Sequence, residues 1–286
     1  MKLDREPSGR NPYINDEVID MNVGSLKLVY FSPTGTTGRV VEAIGKGISP
    51  DTAEHFDITL PQSRKELLVT SESDLLVVGV PVYMGRVPAL ATEWLKTIQG
   101  RNTPAVCVVV YGNRVYDDAL LELKDTLATC GCIVVAAAAY IGEHSFSNDE
   151  EPIAPGRPDA DDVGYAHVFG RQILEKLKPF STVAELPALQ VPGNQPYGGQ
   201  TKLWDVDFIA VDDSCLECGV CAKVCPVGAV DAEKSTAIDV VKCITCCACI
   251  KACPQNARTI KPGPVKDAAK RLHGLFQEPK KPEIFL

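Results

Sequence analysis

The chain has 286 residues, of which 45% are hydrophobic and 23% charged, and a formal net charge of -8. That length allows about two domains that each bury a core. The acidic balance without a basic stripe lacks the electrostatic footprint of a nucleic-acid binder, and the longest apolar run, Cys132–Gly142, is far short of the ~20 residues that span a bilayer.

Residues 1–24 are polar, cluster Pro7, Gly9, Asn11 and Pro12, and show neither a sustained period nor the basic-then-apolar pattern of a secretory signal, so they predict a surface extension. Leu26–Phe31 then reads as a buried strand, followed by a Ser/Thr/Gly loop and a helix carrying Val40, Val41, Ala43 and Ile44. The same unit recurs: strands at Glu54–Ile58, Leu75–Val80, Ala105–Tyr111 and Ile133–Tyr140 alternate with helices at Arg64–Val69, Ala89–Ile98, Asp117–Thr129 and Asp162–Leu177. Near-continuous apolar strands alternating with helices predict an α/β, doubly wound, five-stranded parallel sheet over residues 25–180. Residues 181–205, with Pro192, Gly193, Pro196, Gly198 and Gly199, read as a linker.

Residues 206–263 form a second, small α+β unit built on two cysteine runs, C-L-E-C-G-V-C-A-K-V-C-P from Cys215 and C-I-T-C-C-A-C-I-K-A-C-P from Cys243. Each has the spacing C-x-x-C-x-x-C-x-x-x-C-P, the bacterial iron-sulfur pattern in which the fourth Cys serves the other run's cluster. A cubane needs thiolates converging from several directions, and one tight loop presents only three. Cys215, Cys218, Cys221 and Cys253 are therefore expected to hold one [4Fe-4S] cluster, and Cys243, Cys246, Cys249 and Cys225 the other. The halves repeat at an offset of 28 residues, down to Ala229 and Ala257. Zinc sites would use two C-x-x-C pairs rather than triplets followed by C-P. Residues 206–261 resemble a bacterial-type two-cluster ferredoxin, a family whose clusters carry single electrons at low potential. Eight of the twelve cysteines are absorbed here, and Cys107, Cys130, Cys132 and Cys247 read as spare thiols. A disulfide framework is not expected, which points to a reducing, cytoplasmic compartment. In the C-terminal tail, 264–286, a helix is predicted over Val265–Phe276, and the apolar ending Pro282-Glu-Ile-Phe-Leu286 is expected to dock on its own protein; the alternative is a partner-binding tail.

The first loop, Phe31-Ser-Pro-Thr-Gly-Thr-Thr37, sits where a strand meets a helix start, so backbone N–H groups and the helix dipole favour an anion, with hydroxyls of Ser32, Thr34, Thr36 and Thr37 at hand. It is neither a P-loop nor G-x-G-x-x-G, and a Ser/Thr-rich helix cap would look the same. The loop resembles the flavodoxin phosphate signature S-x-T-G-x-T, with Thr36 where many flavodoxins carry Asn. That resemblance implies FMN, with Ser32, Thr34, Thr37 and the backbone of Gly35 and Thr36 on its phosphate. It further implies a flavin ring bordered by Tyr83, Met84, Gly85 and by Tyr111, Gly112, Asn113 and Tyr116, from the loops after the third and fourth strands. Arg86 and Arg114 lie on equivalent loops, where a cation would favour the anionic reduced flavin. His144, in G-E-H-S-F-S, reads as a structural residue, a proton relay or a lining of the interface with the cysteine unit.

Taken together, the two units, the Y-M-G-R, Y-G-N-R and G-E-H-S loops and the P-E-I-F-L ending resemble the flavodoxin-ferredoxin fusion proteins of anaerobes, sometimes called ferrodoxins. The resemblance implies an electron carrier linking two [4Fe-4S] clusters and FMN to redox partner proteins of the ferredoxin or flavoprotein type. The alternative is an FMN-dependent reductase of a quinone or ferric chelate fed by the clusters. Self-association is left open by the sequence, and no strand is followed by the dinucleotide fingerprint that direct NAD(P)H use would call for.

Overall fold

The computed structural model describes residues 23–49, 53–200 and 206–286. The expected N-terminal extension lies outside them except for Val23 and Gly24, as do the last five residues of the expected linker.

Five strands run parallel: β1 (Ser25–Tyr30), β2 (Ala53–Asp57), β3 (Asp74–Pro81), β4 (Thr103–Tyr111) and β5 (Cys132–Ile141). They are joined by the helices α1 (Thr36–Ile48), α2 (Ala89–Leu95) and α3 (Ala119–Thr129), and α4 (Ala160–Leu177) follows β5. The spatial order β2-β1-β3-β4-β5 is the flavodoxin-like doubly wound order, with its switch point between β1 and β3. Successive strand residues feed opposite faces. Val29, Val78 and Val109 pack against Leu95 and Leu123 of α2 and α3, while Leu28, Val77 and Val108 pack against Val41 and Ile44 of α1 and Phe169 of α4. Burial on both faces is why these strands read as unbroken apolar runs rather than alternating ones.

The helix expected at 64–69 does not form. A short 3₁₀ turn over Pro61–Lys65 stands there instead, because Pro61 starts it and, of the apolar residues that follow, Leu68 is buried but Leu67 and Val69 are 64% and 50% exposed, too narrow an apolar face to hold a helix. The sheet also has six strands rather than five. The C-terminal segment forms β8 (Glu283–Phe285), antiparallel to β5 with Ala138 opposite Ile284, and covers what would be an open edge. Thus the tail docks on its own protein. The expected linker is also held down over its described residues. Asp118 accepts from the Asn194 N–H at 2.8 Å and the Gly198 N–H at 2.6 Å, Asp125 accepts from Tyr197 Oη at 2.6 Å, and Leu189 is buried against the α2/α3 face.

Helices α1 and α4 touch backbone to backbone. A Cβ added at Gly47 would overlap the His167 carbonyl group, whose carbon would lie 2.9 Å away, and one added at Gly170 would meet the Gly47 carbonyl carbon at 2.9 Å. Gly47→Ala should therefore cost about 1–3 kcal/mol or more by overpacking, lowering Tm by roughly 2–4 °C per kcal/mol. Exposed Gly164 on α4 has open space, so Gly164→Ala should instead stabilise by about 0.5–1 kcal/mol through helix propensity. Thermal unfolding followed by circular dichroism reads both signs; equal Tm values for the two variants would refute the close-contact account.

The cysteine unit consists of β6 (Ile209–Val211) paired antiparallel with β7 (Arg258–Ile260), two one-turn helices, α5 (Val220–Lys223) and α6 (Ala248–Lys251), and the longer α7 (Pro264–Leu275). The 28-residue repeat extends to the backbone: left-handed conformations occur in pairs at Glu217 and Thr245, Gly219 and Cys247, and Gly228 and Asn256. Cys247 thus occupies the left-handed position before α6 that glycine takes before α5. A third core of Phe208, Ile209, Val230, Val265 and Ala269 closes around Cys221, Cys225 and Cys249, and Phe146 from the loop after β5 is buried in it. The halves are further tied by Arg64, whose Nη2 donates to Pro226 O at 2.6 Å, and by Lys251, which donates to Glu143 at 2.6 Å and Ser147 O at 2.7 Å.

Candidate functional site

A cavity of about 280 Å³ opens at the carboxyl ends of the sheet strands, where the topology reverses. One end is the loop between β1 and α1. Gly35 takes φ of 85°, turning the chain into the helix, and Ser32 Oγ accepts the Gly38 N–H at 3.0 Å, which leaves its own proton free to donate. Ser32, Thr34, Thr36 and Thr37 all line the cavity. Thr37 is 1% exposed, and its Oγ1 has no hydrogen-bond partner. A buried hydroxyl without a partner at a helix start, on a cavity wall, fits an anionic ligand group.

The loop after β3 is a tight turn closed by reciprocal bonds between Tyr83 and Arg86, at 2.9 and 3.0 Å, with Met84 and Gly85 both at positive φ. Such a turn requires positive φ at both central positions, which glycine supplies without strain and which projects Tyr83, Met84 and Gly85 into the lining. From the loop after β4 come Tyr111, Gly112 and Arg114.

Three residues picked from sequence for the ring are committed elsewhere. Arg86 makes a two-pronged ion pair with Glu122 at 2.8 and 2.9 Å and lies over the Tyr197 ring. Asn113 donates to the Phe276 and Glu278 carbonyls at 2.7 and 3.0 Å, and Tyr116 Oη donates to Glu283 at 2.9 Å. All three brace the linker or the C-terminal segment, and none belongs to the cavity lining; Gly35 shapes its turn from just outside. Local loop position could not distinguish them, because their partners are 36 to 167 residues away in sequence.

Conversely, sequence reading missed the roof. Thr245, between the second run's first two cysteines, and Ala268, Arg271 and Leu272 of α7 complete the lining. The helix itself was legible, with its apolar 268/272 spacing, but not what it would cover. Tyr83 spans cavity and cysteines: burial, then the adjacent Cys246 and Cys247, push its hydroxyl well above the ordinary tyrosine range.

His144 lies on the cavity wall with its ring 4.9 Å from that of Phe146, and its Nδ1 accepts the Phe146 N–H at 3.1 Å, which puts the proton of the neutral ring on Nε2. Desolvation, helped by Lys251 and Arg114, lowers its pKa to about 4. The fold therefore holds the neutral ring. As pH drops below the ordinary value of about 6.5, the unfolded chain gains a proton that the folded one refuses, so stability complete above that pH is lost progressively down to about pH 4. His144→Gln should flatten the decline of Tm between pH 6.5 and 4.5; parallel wild-type and variant curves would show that His144 titrates normally.

The cysteines converge in two groups. Cys215, Cys218, Cys221 and Cys253 line one small cavity, and Cys225, Cys243, Cys246 and Cys249 line another together with Cys247. Each group draws its fourth thiol from the other run. Among the described residues no three Cys, His, Asp or Glu side chains converge as a single-ion site. A donor set of four thiols is the one a [4Fe-4S] cluster takes.

Residues 208–254 match the family described as 4Fe-4S dicluster domain. No curated protein matches the chain. Among solved structures, an archaeal flavodoxin is 16% identical over 54% of this chain and 98% of its own, with a TM-score of 0.39. Flavodoxin 2 from Bacillus cereus is 15% identical over 54% and 99%, with a TM-score of 0.38. Rubredoxin oxygen:oxidoreductase from Desulfovibrio gigas is 12% identical over 55% of this chain and 36% of its own, at 0.38. Among the described residues no helix is long and apolar enough to cross a membrane.

Proposed function

We propose that this chain, a flavodoxin-like α/β fold joined to a 4Fe-4S dicluster domain, is an electron-transfer protein with FMN in the 280 Å³ cavity and two [4Fe-4S] clusters on the cysteine quartets. The observation carrying this reading is the shared wall: Thr245, the residue before Cys246, lines the cavity together with Tyr83. Bound FMN exchanges one or two electrons and each cluster one, so the pair converts between one- and two-electron carriers. Ser32 and Thr37 hydroxyls hold the phosphate, the Tyr83 and Gly112 loops flank the ring, and the Ala268–Leu272 face of α7 excludes water over it. The clusters serve redox partner proteins of the ferredoxin or flavoprotein type, in the cytoplasm of an anaerobe.

A second reading, reduction of a quinone or ferric chelate, is favoured by the Nε2–H of His144 on the cavity wall, which could donate to a bound oxygen. A spectroelectrochemical titration of anaerobically purified full-length protein tests the carrier reading: FMN and iron-sulfur signals should titrate in one chain, with slow reduction by NADH alone. Protein that binds no flavin would refute it, and rapid, saturable turnover of a quinone or ferric chelate would establish the reductase.

A further inference from the structure

The two cysteine cavities are related by the 28-residue repeat, yet their walls differ in kind. Around Cys225, Cys243, Cys246 and Cys249 the wall is apolar apart from the cysteines, with Ile209, Val227, Val230, Ile238 and Ile244. Around Cys215, Cys218, Cys221 and Cys253 stand Arg258 and Ser235. Arg258 is the repeat counterpart of Val230, and Ser235 that of Gly263.

Both polar residues are buried, Arg258 to 3% exposure and Ser235 to 1%. The Nη2 of Arg258 donates to the Ser235 carbonyl, which anchors the guanidinium in the wall. Its Nη1 and the Ser235 Oγ are buried with no hydrogen-bond partner. A buried cation with a free N–H is costly unless an anion faces it. Two such donors line one thiol cavity and neither lines the other, although the Arg258 charge is also felt at Cys249 of the twin quartet.

We propose that Arg258 and Ser235 donate hydrogen bonds to the sulfur atoms of the cluster held by Cys215, Cys218, Cys221 and Cys253 and raise its reduction potential above that of its twin. The inference rests on the dicluster reading. Reduction adds one electron and makes the cluster more negative, so a guanidinium and a hydroxyl beside it stabilise the reduced form more than the oxidised one. Greater solvation acts in the same direction, because Cys218 is exposed whereas three of the other four ligands are buried. Electrons at rest then sit on the cluster that does not adjoin the Tyr83 cavity, and the twin beside that cavity is the low-potential stage.

The test is an EPR-monitored redox titration of anaerobic full-length protein, with iron and sulfide counted in every sample. Cys218→Ala assigns the signals, because it should remove the higher-potential one. Arg258→Gln should lower the reduced-to-oxidised ratio of that cluster at fixed potential about tenfold or more, ~59 mV for a one-electron couple. Ser235→Ala should shift it in the same direction by less, Arg258→Lys should restore part of the Arg258→Gln shift, and the twin should shift less than this cluster in all three, because Cys249 also feels the Arg258 charge. Should Arg258→Gln lose iron, Ser235→Ala decides, since it removes one oxygen and keeps the guanidinium. Unchanged midpoints in the iron-replete variants, or equal shifts of both clusters, would overturn the proposal. Wild-type protein without two clusters would instead overturn the dicluster reading beneath it.

Discussion

Cys246→Ala should reduce iron and sulfide from about eight to about four per chain and abolish the fast phase of flavin reduction by reduced ferredoxin. Cys246 belongs to the quartet next to the cavity, with Thr245, the residue before it, in the cavity wall. Cys218→Ala should cost the same iron, whereas Cys247→Ser should cost none. Cys247 sits in the left-handed position that glycine takes in the first half, so backbone geometry places its thiol against the quartet without making it a ligand. The stability loss should also be large in both ligand variants. The third core is built around Cys221, Cys225 and Cys249, and metal binding in such a core is part of its folding free energy. Full-length protein is the right material, because β8 and Phe146 tie the two halves together. Loss of iron from Cys247→Ser, or full flavin reduction in Cys246→Ala, would refute the ligand set or the route.

Thr37→Val should move two quantities in opposite directions. Without flavin, the variant should be more stable by about 1 kcal/mol, since a buried hydroxyl with no partner is replaced by a methyl of nearly the same shape. With FMN, affinity should fall by about 1.5–3 kcal/mol, the usual worth of a hydrogen bond to a charged group. Isothermal titration and apo-protein thermal unfolding read the two effects separately. A variant destabilised without flavin and unaltered in affinity would mean that Thr37 serves the fold and that the phosphate lies elsewhere.

Most features with a periodic or motif-like local cause were legible in the chain, though the 3₁₀ turn that Pro61 starts was read as a helix. The five parallel strands were legible because both faces are buried, and the turn between β1 and α1 because a glycine and hydroxyls stand between a strand and a helix start. The crossed cysteine quartets were legible too, since one loop can offer only three thiols and the repeat supplies the fourth. Even the docking of Pro282–Leu286 was readable from its apolarity, though not the strand it pairs with.

Which half covers which was set by contacts that exist only in the folded chain. Arg86, Asn113 and Tyr116 had the right loop positions for a flavin ring, yet ion-pair and hydrogen-bond partners distant in sequence hold them against Glu122, the Phe276–Glu278 backbone and Glu283. Thr245, Arg271 and Leu272 had no local sign of belonging to a cavity formed by loops more than 90 residues earlier in the chain, a figure set by the nearest of those loops, 142–146. The difference between Arg258 and Val230 was printed in the sequence as a break in the repeat, but it acquired chemical meaning only once folding buried the guanidinium beside four thiols. Local steric and hydrogen-bonding rules act over a few residues and leave a periodic trace. Burial, pairing and desolvation depend on neighbours that the chain brings together only by folding.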